Sequence, residues 1–197
     1  MPETLLRSLV WTDYRLAVLF TVLLPLGLII WAAVQRSEAI VRLLIIYWRV
    51  ASLLLITVYL LMPGWGIGYI TGFIARLLIP IALWFWVDLN EDIAEQPPSW
   101  LRLVTMGWRW AVTIYALVGN LISVPFLSCA FSSQTLSSPF CQVWLEPAAA
   151  YKNIFHGAYK PEFMAFWGGV GLFIYTTYLA YFVIVRLGKQ GRSAIEQ

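Results

Sequence analysis

Residues 64–92 read GWGIGYITGFIARLLIPIALWFWVDLNED, and this stretch carries the clearest information about the fold. Its apolar run is long enough to cross a bilayer as a helix, which takes about 20 residues. A helix is the default for such a run, because every backbone amide in lipid must be paired within the segment. Arg76 lies near the middle of the run and several carboxylates follow it. An uncompensated cation inside a membrane segment needs a physical explanation.

The composition of the whole chain also indicates a membrane environment. Hydrophobic residues make up 61% of the chain, charged residues make up 12%, and the mean hydropathy is +0.77. A soluble domain carries roughly 25% charged residues, so lipid must replace water as the solvent for most of this chain. The net charge of +3 is spread out, with no Lys/Arg cluster and no nucleic-acid motif. These features exclude a nucleic-acid partner and leave the lipid bilayer as the expected one.

Five apolar runs of spanning length follow one another along the chain. The sequence therefore predicts an all-α fold, a polytopic membrane bundle of about five transmembrane helices. We expect one helix-bundle domain at 14–187, preceded by an interfacial segment at 1–13 and followed by a tail at 188–197. A frayed end is the alternative for 1–13. The predicted spans are 16–34, 41–61, 65–87, 103–127 and 163–185.

The distribution of Lys and Arg indicates the orientation of the bundle. Placing the tail in the cytoplasm puts six flanking Lys/Arg residues inside and four outside, which follows the positive-inside rule. The loop 128–162 then lies outside the cytoplasm, where Cys129 and Cys141 could form a disulfide. That bond would close a Ser-rich segment and contribute about 3 kcal/mol in the chain-entropy model. Two buried thiols are the alternative.

Three arginines, Arg49, Arg76 and Arg109, lie deep inside the predicted spans, and no Asp or Glu falls within any of them. An Arg at the centre of a bilayer costs about 2.5–3.5 kcal/mol on insertion scales. Helical phase places Asn120 near the face of Arg109, and glycines every four residues precede Arg76. We expect the second, third and fourth spans to pack together, so that the three guanidinium groups converge in the cytoplasmic half, with Arg76 nearest the midplane.

The partner of this arginine cluster is left open by the sequence. In a structural role, the guanidinium groups would bond backbone carbonyls and an acidic segment folded back as a cap. In a binding role, they would hold an anionic lipid, a carboxylate or an acidic segment of a partner, since Arg binds oxyanions bidentately. Simple snorkelling to the surface is the third alternative. The residues of the candidate cap are Asp88, Glu91, Asp92 and Glu95.

Several classes of function lack the residues that they need. His156, in the outside loop, is the single histidine of the chain, and with two cysteines it does not form a usual zinc site. The sequence contains no hydrolase, P-loop or dinucleotide-binding motif. Proton-coupled carriers usually need carboxylates or histidines inside the membrane, and the predicted spans have none. We therefore expect a non-enzymatic protein without a metal or cofactor.

Four stretches together resemble a family of cyanobacterial integral membrane proteins of unknown function. The resemblance covers residues 5 to about 120 and implies a plasma or thylakoid membrane, with the outside loop in the periplasm or lumen. It supplies no active-site residues. The stretches are VWTDYRLAVLF at 10–20, RLLIIYWRVASLLLITVYL at 42–60, ARLLIPIALWFWVDLNEDIAEQPP at 75–98 and WRWAVTIY at 108–115.

Two functional hypotheses follow from the sequence. The first is an accessory, assembly or scaffold component of a larger membrane complex, with a photosynthetic complex as one candidate. The second is a small transporter or a lipid- or anion-binding protein that uses the arginine cluster. The lack of acids and histidines inside the predicted spans favours the first hypothesis.

Overall fold

The computed structural model describes residues 3–194. Within this range, five helices are long and apolar enough to cross a membrane, and every regular element is helical. The predicted all-α bundle of five spans is therefore confirmed, and the chain is an integral membrane protein. The five spans are Glu3–Val34, Glu38–Leu61, Ile67–Trp84, Trp100–Ser123 and Pro161–Tyr181.

Shorter helices join and extend the spans. An acidic helix, Val87–Glu95, links the third and fourth spans. Residues 124–160, here called the cap, fold over one end of the bundle between the fourth and fifth spans. The fifth span continues as a π-helix, Phe182–Arg186, and ends in Leu187–Gln190. The cap contains 3₁₀-helices Val124–Ala130 and Val143–Leu145 and α-helices Ser133–Leu136, Pro139–Gln142 and Glu146–Phe155.

The third span lies between the second and the fourth, as expected. The second span also contacts the first and the fifth. Gly168 lets the fifth span approach closely, because a Cβ at this position would lie 3.0 Å from Cβ of Tyr59. The fifth span is nevertheless peripheral: only 6% of its apolar window is buried, against 22–39% in the other four.

The N-terminal segment predicted to lie on the membrane surface is instead continuous with the first span. A π-helix, Val18–Leu23, joins the two parts without a break. Pro25 has no N–H, so it leaves a carbonyl without its helical partner in the preceding turn. The carbonyls of Phe20 and Thr21 accept hydrogen bonds from Trp108 Nε1 at 2.9 Å and Tyr47 Oη at 2.8 Å. Neighbouring spans thus satisfy the irregular turn and allow the helix to continue.

The cap is folded around the two cysteines, whose side chains are buried. The Cα atoms of Cys129 and Cys141 are 5.9 Å apart, a separation that suits a disulfide. Tyr69 of the third span donates its hydroxyl to the Cys141 carbonyl at 2.7 Å. Glu146 of the cap pairs with Arg7 of the first span at 2.9 Å. The cap and the start of the first span therefore lie at the same end of the bundle, here called the cap end.

The opposite end, here called the tail end, is closed by the acidic helix and by residues 192–194. Leu89 and Ile93 of the acidic helix are fully buried against the second, third and fourth spans. Asp88 accepts hydrogen bonds from Ser193 Oγ at 3.0 Å and from Ala194 N at 2.7 Å. The part of the predicted tail up to residue 194 is thus folded back onto the acidic helix, and residues 195–197 lie outside the described range.

Candidate functional site

Arg76 forms a largely but not fully buried ion pair with Asp13 of the first span. The side chains of Arg76 and Asp13 are 12% and 20% exposed, respectively. The guanidinium also donates to the Gly119 carbonyl at 3.2 Å and to Ser123 Oγ at 3.0 Å, both on the fourth span. One side chain of the third span therefore connects the first and fourth spans.

Aromatic rings complete the surroundings of this ion pair. The hydroxyl of Tyr115 donates to Asp13 Oδ1 at 3.0 Å, and the Tyr115 ring lies 5.8 Å from the guanidinium carbon of Arg76. Trp144 of the cap lies 5.9 Å from the same carbon. The Arg76 guanidinium therefore reaches toward the cap end, not toward the tail end that the sequence assigned to the cytoplasm. Asp13 was not predicted as a partner of Arg76, because residues 1–13 were expected to lie on the membrane surface.

Gly119 is fitted to the Arg76 guanidinium. A Cβ at position 119 would lie 2.9 Å from Arg76 Nη1, which is too close for a real contact. Gly107, on the same span, would place its Cβ in open space. A side chain at position 119 would therefore displace the end of the Arg76 side chain from its present contacts.

Asn120 also fastens the fourth span to the third and is buried. With its amide oxygen and nitrogen assigned to satisfy both contacts, it donates to the Phe73 carbonyl and accepts from Leu77 N, each at 3.2 Å. The Asn120 amide is hydrogen-bonded to the backbone of the third span. Asn120 is therefore a helix-packing residue and not part of an open ligand site.

Arg109 contacts neutral groups at the other end of the third span, while its Nε has no hydrogen-bond partner among the described residues. It is 1% exposed and donates to the Leu83 carbonyl and to Asn90 Oδ1, both at 2.5 Å. Its guanidinium carbon lies 4.1 Å from the centre of the Trp84 ring, a cation–π contact. Trp84 in turn donates its Nε1–H to Thr113 at 2.9 Å. Arg109 thus joins the fourth span to the third and to the acidic helix.

The contact expected between the carboxylates of the acidic helix and the three arginines is not formed. Asp88 binds the tail, as described above, and Glu91, Asp92 and Glu95 are exposed. The acidic helix turns its apolar side to the bundle, so its carboxylates point away from Arg109. Asn90, which the sequence analysis did not select, is the residue that reaches the guanidinium.

Arg49 differs from the other two arginines because its side chain is exposed on the outside of the bundle. It is the twelfth of the 24 residues of the second span. Its side chain donates to Tyr178 Oη of the fifth span at a long 3.4 Å. The four salt bridges within residues 3–194 do not include Arg49.

The prediction that the three guanidinium groups converge is therefore wrong. Arg109 bonds the third span at Leu83, seven residues or about 10 Å along the axis from Arg76. Arg49 faces the fifth span. Helical phase could not tell which neighbouring helix the face of each arginine would meet.

These features define a five-span helical membrane protein in which Arg76 and Arg109 contact groups of the bundle itself, whereas the second span exposes Arg49 at mid-height. A family model described as a protein of unknown function (DUF3177) matches residues 7–195. The match covers nearly the whole chain, so the chain belongs to this family. No curated protein and no solved structure matches the chain.

Proposed function

We propose that the chain is a non-enzymatic accessory, assembly or scaffold component of a larger membrane complex, and that the fifth span is its main contact surface. The observation that carries this proposal is the low burial of the fifth span, which packs mainly on the second span. A helix held mainly by one neighbour keeps most of its surface available for a further protein.

The exposed surface of the fifth span is rich in aromatic rings, which favours protein contact. Tyr159 and Phe163 stack with ring centres 5.6 Å apart, and Phe163 contacts Trp167 edge-on at 6.4 Å. All three rings are exposed and follow one another from the cap into the span. Large aromatic side chains dominate the binding energy of many protein interfaces because they bury much area with few rotatable bonds. Lipid contact alone does not require such a row.

The interior of the bundle supports a binding role over a chemical one. Arg76 is occupied by Asp13, and Arg109 is occupied by Leu83 and Asn90. A small transporter, or an anion-binding protein that uses all three arginines, therefore receives less support than a scaffold. An anionic lipid bound at the bundle surface remains compatible with the scaffold role.

The location of the protein is also part of this proposal. The resemblance to cyanobacterial membrane proteins supports a plasma or thylakoid membrane. The bias in flanking Lys/Arg supports a cytoplasmic tail end and a cap in the periplasm or lumen. In that oxidising compartment Cys129 and Cys141 would be joined by a disulfide, which the 5.9 Å distance between their Cα atoms allows.

Native electrophoresis in a gentle detergent tests the proposal. We expect the wild-type chain to migrate with a larger complex, and the double variant Phe163→Ala/Trp167→Ala to migrate alone. Phe131→Ala is the matched control, because Phe131 is an exposed aromatic residue of the cap outside this row. Migration of the wild type as a lone small oligomer with bound lipid would contradict the scaffold role and support the lipid-binding alternative.

A further inference from the structure

We propose that Arg49 and Tyr178 form the docking site for a transmembrane helix of a different protein, and that this helix carries an Asp or Glu near the middle of the membrane. The inference rests on the proposed scaffold function and names the chemistry of its partner. It is carried by the position of Arg49.

Arg49 lies at the depth where a cation is most costly. The second span is 24 residues or about 36 Å long, so Arg49 is some 18 Å from either end. A bilayer core is about 30 Å thick, which places this residue near its centre. The side chain is too short to bring its charge to either surface from that depth. A stable position therefore needs a partner inside the membrane.

The described residues of the chain do not supply an adequate partner. Tyr178 is neutral, and the distance of 3.4 Å between its hydroxyl and Arg49 is long for a hydrogen bond. By contrast, Arg76 has a carboxylate and two further acceptors, and Arg109 has two acceptors and a Trp ring. Arg49 is thus the intramembrane arginine with unused hydrogen-bonding capacity on an outer surface of the described bundle.

A second copy of this chain does not fit the site. Among residues 3–194, the carboxylates other than Asp13 lie at helix starts, in the acidic helix or in the cap, and Asp13 is occupied by Arg76. Two copies facing each other would bring two Arg49 side chains together without a mid-membrane acid to neutralise them. A lipid headgroup does not reach the bilayer centre. The charge of Arg49 therefore favours a carboxylate on the helix of a different protein.

The surface around Arg49 has the residue spacing of a helix-packing face. Exposed residues of the second span recur at steps of three and four, which is the spacing of a packing face. On the fifth span, Trp167 and Tyr178 are eleven positions or about three turns apart and share one side. The two rows meet where Arg49 contacts Tyr178. The residues of the second-span row are Arg42, Ile45, Arg49, Ser52 and Leu55.

Site-specific crosslinking in the native membrane tests the identity of the occupant. A benzoylphenylalanine side chain introduced at Tyr178, and as a control at exposed Leu121 of the fourth span, would be activated by light and the crosslinked peptides sequenced. We expect position 178 to capture a membrane segment that contains Asp or Glu and belongs to another polypeptide. Capture of lipid, of a second copy, or of a segment without a carboxylate would overturn the proposal.

Neutralising Arg49 tests the role of the charge. We expect Arg49→Gln to reduce retention of the complex by about tenfold, since a hydrogen bond between membrane helices contributes on this scale. Arg15→Gln is the matched control, because Arg15 is an exposed arginine of the first span and lies outside this docking surface. Exchanging Arg49 and the captured carboxylate should restore retention. Full retention by Arg49→Gln would refute this docking site and leave the scaffold role intact, whereas a wild type that migrates alone would refute the scaffold role itself.

Discussion

Replacing Asp13 by Asn should destabilise the bundle strongly, although the side chain keeps its size. The change removes the carboxylate that neutralises Arg76 and leaves a guanidinium of 12% exposure without its counter-ion. The remaining contacts to the Gly119 carbonyl and Ser123 are neutral acceptors and compensate only in part. Breaking a buried pair by removing one partner typically costs 3–5 kcal/mol. Because both side chains keep some exposure, we expect Asp13→Asn to lower the free energy of unfolding by about 3 kcal/mol, the low end of this range.

A double-mutant cycle separates the ion pair from other effects of the substitution. The free energy of unfolding would be measured in mixed detergent micelles for the wild type, Asp13→Asn, Arg76→Gln and the double variant. We expect the double variant to be less damaged than the sum of the single variants by at least about 1 kcal/mol, because residues in one network couple. Glu38→Gln is the control, since the Arg42–Glu38 pair is exposed and should contribute little. Additive single effects would refute the assignment of Asp13 as the partner of Arg76.

Three further outcomes follow from the contacts. Gly119→Ala should displace the Arg76 guanidinium and cost about 1–3 kcal/mol of unfolding free energy, whereas Gly107→Ala should change little; equal effects would contradict the fit. Arg109→Met should lower stability by about 2 kcal/mol in the same assay, because two buried acceptors lose their donor, and an unchanged stability would argue against this clamp. The peptide mass should show Cys129 and Cys141 joined before reduction, and reduction should cost about 3 kcal/mol; free thiols in the native membrane would contradict the disulfide.

The membrane fold could be predicted from the sequence because length and hydropathy decide it. The run around Arg76 is so apolar that it is recognised as a span in spite of its one cation. The third span also packs between the second and fourth spans, as expected. Residues 3–17 were harder to assign, since their mixed composition suits a surface helix as well as the protruding end of a span. That ambiguity hid Asp13, although it lies only three residues before the predicted start of the first span.

The partners of the arginines depend on contacts between spans, which a single sequence does not encode in a readable form. Arg109 shares a helix face with Asn120, yet Arg109 bonds Asn90 and Asn120 bonds the third-span backbone. A short helix between spans can present either its acids or its apolar residues to the bundle. In this structure Leu89 and Ile93 are buried against the bundle, so the carboxylates of the helix face outward. The neutral amide of Asn90 is the group that reaches the Arg109 guanidinium. Arg49 could be identified as a membrane arginine but not as the exposed one.

The most direct test of this account is a parallel measurement on Arg49→Gln, Arg76→Gln and Arg109→Gln. For each variant, the unfolding free energy of the purified chain and its retention in the native complex would be determined together. We predict that Arg76→Gln and Arg109→Gln lose stability, whereas Arg49→Gln unfolds like the wild type and is released from the complex. Loss of stability in Arg49→Gln equal to that in Arg109→Gln, with the complex retained, would contradict the division between internal and partner-facing arginines.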